Sequence, residues 1–256
     1  MMSFGINKRA VQAVASLVGL AAIWQIASLF FPPFLFPPVT AIAKYVWEIL
    51  TSWEMFLDVL MTSGRIFGGL MGAFVVGGFL ALLLYSSRTL ENYISPILTF
   101  LQGIPALSWV VIAIIWFHGV EFRIFFIMLM TTLPAFTFQI LGAIRSMSKD
   151  LYEMTLSFRP RRMQLFRMLY LPTLIPDIIT AWRVNLGNAA RVVVVAELVG
   201  ATGGVGYQLL RQQQLFDMAG AIAWTLQLVL FVLVMQQILT FLENHFLRYR
   251  AVSERA

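Results

Sequence analysis

The 256-residue chain contains no cysteine and only two histidines, His118 and His245. Without cysteine there is neither a disulfide nor a thiolate metal site, and two scattered histidines do not make a metal centre. Charge is also scarce, at 12% of residues against about 25% in soluble domains. No Gly-x-x-x-x-Gly-Lys-Ser/Thr run occurs. The chain therefore lacks the backbone cradle and lysine that hold a triphosphate, and ATP hydrolysis by that route is excluded. Paired intramembrane carboxylates and a nucleophile beside a base are missing too, which leaves an intramembrane enzyme without its chemistry.

What the chain has is apolar length. It is 60% hydrophobic, with a mean hydropathy of +0.83, and reads as an all-α integral membrane protein. A spanning helix needs about 20 mostly apolar residues. Six stretches qualify, near 11–31, 63–85, 93–117, 122–144, 172–199 and 218–242. The run after Lys8 and Arg9 is too long for a signal-peptide core, so the first helix is expected to be retained. Pro32, Pro33, Pro37 and Pro38 end it, and an amphipathic stretch near 40–58 follows, with Trp47 and Trp53 placed for an interface. The whole chain is expected to form one transmembrane domain, residues 1–256, with its core at 60–245.

Positive charge sets the orientation. Lys8, Arg9, Arg88, Arg145, Lys149, Arg159, Arg161, Arg162, Arg167, Arg248, Arg250 and Arg255 fall on one side of a six-span layout, and only Lys44, Arg123 and Arg211 on the other. This asymmetry places both termini and the 145–171 loop in the cytoplasm. It also accounts for the net charge of +6 without nucleic acid as a partner. In the second span Gly64, Gly68 and Gly72 recur every four residues, followed by Gly77 and Gly78. Such a face admits a second helix closely, within the bundle or between subunits.

Residues 150–169 carry the most information. Leu151, Met154 and Phe158 share one helical face, while Arg159, Arg161, Arg162 and Arg167 forbid burial in lipid. The segment reads as two short helices at the membrane surface, with an apolar face left for a partner. Asp150 suits the cap of the first, with Glu153 three residues on. Pro160 disfavours helical geometry at Arg159 and so forces a turn. A second helix is expected from Arg161 to Tyr170, and Pro172 suits the opening of the next span.

Glu153-Met154-Thr155, then Arg159, then Leu171-Pro172 resemble the coupling motif of ABC importer permeases. There a Glu-Ala-Ala triplet is followed by glycine and, after a fixed gap, by Leu-Pro. Phe36-Pro37-Pro38-Val39, Ser63-Gly64-Arg65-Ile66, Ile104-Pro105-Ala106-Leu107 with Trp116-Phe117, and Arg183, Gly187, Glu197 and Gly200 to Tyr207 resemble, in order, the nitrate/sulfonate/taurine type. The similarity runs from about residue 32 to 245. Two departures stand out: Met154-Thr155 replaces two alanines, and Arg159 replaces the glycine that permits the turn.

The resemblance implies an inner-membrane permease subunit with no cofactor of its own. ATP and Mg²⁺ belong to a partner ATP-binding subunit dimer that receives Leu151, Glu153, Met154, Thr155, Phe158, Arg159 and Arg162. A second permease copy, expected as a homodimer, and an extracytoplasmic solute-binding protein complete the assembly, in the cytoplasmic membrane of a bacterium.

Charge within the fifth span needs its own account. Arg183 and Arg191 at bilayer depth cost about 2.5–3.5 kcal/mol each unless they meet protein or water. They either border a path for an anionic solute, or snorkel or pair with Asp177 and Glu197. Arg65 poses the same choice. Gln102-Gly103-Ile104-Pro105 should break the third span, as a kink or as a pore lining. The candidate path residues are Arg65, Gln102, Pro105, Arg183, Asn185, Arg191 and Glu197. Gly200 to Gly206 resembles a phosphate cradle but lacks the lysine, and is expected to be a tight turn. Rival readings are a secondary or passive transporter that uses these charges, and a membrane scaffold that carries nothing.

Overall fold

The computed structural model describes residues 8–246. The expected cytoplasmic termini, with Arg248, Arg250 and Arg255, lie outside the described residues. So do the side chains of Lys8, Arg9, Lys149, Arg162 and His245.

Eleven helices follow one another, with no strand among the described residues: α1 (Lys8–Ser28), α2 (Val39–Thr51), α3 (Trp53–Ser86), α4 (Arg88–Gly103), α5 (Ala106–Trp116), α6 (Val120–Arg145), α7 (Lys149–Ser157), α8 (Arg162–Leu165), α9 (Leu171–Leu198), α10 (Val205–Gln214) and α11 (Met218–Phe246). By length and composition α3, α6 and α11 (over Met218–Asn244) are able to cross a membrane. The α4–α5 pair makes up to four, as one span bent by 97°. The apolar part of α1 is short, Val14–Ser28, and α9 is interrupted by Asp177, Arg183, Arg191 and Glu197.

The breaks follow local chemistry. The prolines after α1 hold an irregular turn pinned by Trp24 Nε1, which donates to Pro37 O at 3.0 Å, and by Val39 N–H, which donates to Gln25 Oε1 at 2.8 Å. The expected helix break falls at Gly103–Pro105, where Pro105 stands as the cap of α5. The third apolar run is therefore two helices and not a straight rod. Two other boundaries differ from expectation. α3 starts at Trp53, ten residues before the apolar run, and its 34 residues measure about 51 Å, more than the roughly 30 Å hydrocarbon core. Its first turns therefore project beyond that core. After α7 the chain does not form a separate second helix. α8 passes through a π-helical turn (Phe166–Tyr170) straight into α9, with helical dihedrals at both junctions. Pro172, which has no N–H to give to the i−4 carbonyl, sits just past that turn, and a π turn is one way a helix absorbs such a gap.

The core is the three-helix contact of α3, α6 and α9. Phe74, Phe136 and Trp182, one from each helix, meet with ring centroids 5.5–5.8 Å apart. Glycines on α3 let α6 approach. A Cβ on Gly69 would fall 2.6 Å from Met128 Cβ, and one on Gly77 would fall 3.1 Å from Leu133 O, whereas Gly64 and Gly68 have nothing within 4 Å. The packing row is thus 69, 73, 77 and 81, with Gly72 also held close against Phe125 of α6, while Gly64 and Gly68 lie off it. Replacing Gly69 by Val is expected to cost about 1–3 kcal/mol through overpacking, read as a lower unfolding temperature in detergent, while Gly64→Ala leaves that temperature unchanged.

Candidate functional site: a polar cleft, a pinned helix end and a surface helix

Three arrangements gather the polar residues. The first is a cleft of about 540 Å³ between the α4–α5 break, α6 and α9. It brings together four of the expected path residues, Gln102, Pro105, Asn185 and Arg191, and adds Thr131, Gln139 and Asn188. Arg191 is exposed in the monomer and opens onto this space. Asn185 is buried at 2% exposure. Its Nδ2 donates to Gln139 Oε1 at 2.6 Å and to Ala181 O at 2.8 Å.

Arg183 lies elsewhere. Its Nη2 donates to Glu243 Oε2 at 2.7 Å and to Thr240 Oγ1 at 3.2 Å on α11. Eight residues along a helix turn the azimuth by about 80°, so Arg183 and Arg191 do not share a face although each lies four residues from Gly187.

The second arrangement pins the C-terminal end of α9. Glu197, 1% exposed, receives Arg65 Nη1 at 2.7 Å, Thr62 Oγ1 at 2.9 and 3.0 Å, and the Gly206 N–H at 2.8 Å. Arg65 also pairs with Glu121 on α6 and donates to Gly203 O at 2.8 Å. Arg65 and Glu197 therefore sit in a knot between helices and not on the cleft wall. The glycine-rich stretch is the expected turn, followed by α10. Its donors are occupied by side chains of this protein: Gly204 N–H by Asp58 Oδ1 at 2.7 Å and Val205 N–H by Thr62 Oγ1 at 2.8 Å. Gly204 has φ +110°, and a Cβ there would fall 2.5 Å from Glu197 Oε1. Only glycine fits this turn over the buried carboxylate. Nearby, the Tyr45 phenol on α2 is pushed up to about 12, chiefly by its hydrogen bond to Asp217, with burial adding.

The third arrangement is the surface segment. Ser148 caps α7 by accepting from Leu151 N–H at 3.4 Å, so the helix opens one residue before Asp150, and Ser148, not Asp150, is its cap. Leu151, Met154, Leu156 and Phe158 are exposed, Phe158 at 79%. Glu153 is exposed and Thr155 half-buried. On the opposite face Tyr152 meets Tyr170 edge-on at 6.5 Å. Burial pushes the Tyr170 phenol up, and Tyr152 adds to it. The turn expected before Pro160 is present, and Arg159 takes it with φ +47°. An arginine here adopts the left-handed geometry that glycine adopts without cost. Among the described residues no group of three or more His, Asp or Glu is arranged to hold a metal ion.

Residues 73–248 match the family described as the binding-protein-dependent transport system inner membrane component. The chain belongs to this family. It is an ABC transporter permease component of the nitrate/sulfonate/taurine type. It is 28% identical to the formylaminopyrimidine transport permease protein ThiX of Halalkalibacterium halodurans, covering 95% of this permease and 98% of that protein. It is 30% identical to a putative aliphatic sulfonates transport permease protein, SsuC, of Bacillus subtilis, over 76% and 71% of the two chains. Its fold is similar to a chain of the MetNI methionine ABC transporter solved in inward-facing conformations, with TM-score 0.65 and 18% identity over 76% and 96% of the chains.

Gln139 and Asn188 escaped sequence reasoning because polar amides inside apolar runs look like ordinary bundle contacts. The signal that could have found them is their register, 135, 139 and 142 on α6 against 181, 185 and 188 on α9. For the outer knot, Arg65→Ala would leave Glu197 buried without its cation and is expected to cost about 3–5 kcal/mol in unfolding measured in detergent. A loss below about 1 kcal/mol, the size of a surface pair, would contradict the buried geometry.

Proposed function

We propose that this permease is the membrane-spanning subunit of an ATP-driven importer for a small anionic solute of the sulfonate, taurine or nitrate kind. The observation that carries the reading is the exposed apolar face of Leu151, Met154 and Phe158 on α7 and its cap, joined by the turn at Arg159 to α8, which runs through the π turn into α9. A soluble surface would not spend three large apolar side chains on water, and lipid would not accept the arginines around them. A groove on a partner ATPase dimer satisfies both demands. The partner binds ATP and Mg²⁺, and this chain makes no chemical bond and carries no cofactor.

Six crossings follow if α1, α9 and the bent α4–α5 pair each span alongside α3, α6 and α11. Both termini and α7 then lie in the cytoplasm, where the basic residues concentrate. The cleft at Arg191 is open along one side, and a second copy of the chain, in a homodimer, would close it. One guanidinium among side-chain amides suits an oxyanion, which needs charge and several N–H donors. Solute arrives from an extracytoplasmic binding protein, and closure of the ATPase dimer shifts the bundle between outward and inward access. That binding protein and the bacterial inner membrane are part of the same proposal. The rival secondary transporter would need intramembrane charges poised to titrate, but Arg65, Arg183 and Glu197 are each committed to partners.

Copurification with the cognate ATPase tests the coupling. Leu151→Asp is expected to abolish stoichiometric recovery of the ATPase, and Glu153→Ala to weaken it or uncouple hydrolysis. Arg159→Gly, which relieves a left-handed residue worth about 1–2 kcal/mol, is expected to retain the partner and raise thermal stability. Unchanged recovery with Leu151→Asp would sink the docking role of α7.

A further inference from the structure

A second cleft, of about 260 Å³, continues the first toward the α7 end of the bundle, between Gly142, Ser146, Asp177 and Thr180. Gln139 lines both clefts. Along α9 the cleft-lining positions Asp177, Thr180, Val184, Asn188 and Arg191 advance by three or four residues, and on α6 and its cap Thr131, Ala135, Gln139, Gly142 and Ser146 do the same. Two facing helix stripes therefore border one route. The Asn185–Gln139 hydrogen bond of 2.6 Å crosses that route where the clefts meet.

We infer that the Gln139–Asn185 amide pair is a polar gate between two chambers in series, and that an anion held at Arg191 opens it. This rests on the proposed path through the cleft and deepens it. The pair is suited to that task because its bond is replaceable. Asn185 Nδ2 is a donor that an incoming oxyanion accepts from as well as Gln139 Oε1 does, and Asn185 keeps its tether to Ala181 O. A solute that lacks acceptor oxygens exchanges a hydrogen bond for none and meets the closed pair. Beyond the gate the wall changes sign. Arg191 borders the outer chamber and the Asp177 carboxylate the inner one, so an anion that has crossed finds no attractive site that would hold it there. Gln139 and Asn185 are thus positioning and selectivity residues, with Arg191 the group that holds charge.

The absence of native cysteine makes sidedness directly measurable. Single variants Ala135→Cys, in the outer chamber, and Thr180→Cys, in the inner one, are labelled in inside-out membrane vesicles carrying the full-length chain. The probe is methanethiosulfonate ethylsulfonate, itself a sulfonate. Thr180→Cys is expected to react fast and Ala135→Cys slowly. Adding Asn185→Ala is expected to speed Ala135→Cys labelling about tenfold without changing Thr180→Cys. The swapped pair Gln139→Asn with Asn185→Gln restores slow labelling, and Thr132→Ala, which removes a buried hydroxyl bonded within α6, has no effect.

Equal labelling of the two cysteines in the parent chain, or no response to Asn185→Ala, would overturn the gate. A Thr132→Ala variant as leaky as Asn185→Ala would also overturn it, since the effect would then be general loosening. If Thr180→Cys reacts only in right-side-out vesicles, the orientation in the proposed function fails, and the same rate comparison made from that face still decides the gate.

Discussion

A hydrocarbon surround supplies no hydrogen-bond partners, so each polar side chain in α3, α6 and α9 must pair within the bundle or face a water-filled cleft. The molecule uses both solutions, and they divide its surface into structure and path. Arg65 and Glu197, with Thr62 and the Gly203–Gly206 turn, are satisfied inside protein. Arg183 and Glu243 tie α9 to α11. Arg191 is the arginine of α9 that opens onto a cleft, and side-chain amides border the same space. Charges that look alike in the sequence thus divide by what surrounds them.

That division gives α9 a mechanical character. Its C-terminal end is fixed to α3 and α6 by the buried carboxylate and the glycine turn beside it. Its N-terminal end joins the π turn and α8, and across the turn at Arg159 the exposed face of α7. A helix clamped at one end and handled at the other is suited to pivoting, and in the proposed importer the cleft lies between clamp and handle. The π turn beside Pro172 weakens the rod near the handle, where a helix under load gives way most easily. The aromatic contact of Phe74, Phe136 and Trp182 lies across the middle of the bundle, where close packing transmits displacement instead of absorbing it.

Much of this was legible from residue order. Apolar length, the proline breaks, the turn before Pro160 and the family resemblance all rest on local chemistry that one sequence displays. The break at Gly103–Pro105 was readable for the same reason. Partner choice was not legible. Arg183 and Arg191 are both arginines in one apolar run, and only the packing of α11 separates the first from the second. Glu197 looked like path because a carboxylate at depth invites function, yet Thr62, Arg65 and Gly206 lie 135, 132 and 9 residues away, and no local pattern links them. The cap of α7 shifted from Asp150 to Ser148 because both are good caps and the apolar register does not choose between them. The glycine rows behaved similarly: 64, 68 and 72 and the packed 69, 73, 77 and 81 have the same four-residue spacing, and spacing alone does not choose which row faces α6.

Solute accumulation in proteoliposomes tests the central claim most directly. The permease is reconstituted with its ATPase and its binding protein, and uptake of labelled taurine, aliphatic sulfonate and nitrate is followed with and without internal Mg-ATP. Accumulation of one of these anions above the external concentration, only with ATP and only with the binding protein, is the result this account predicts. Equilibration that proceeds without ATP, or that follows an imposed proton or sodium gradient, would contradict it and return the intramembrane charges to the centre of the mechanism.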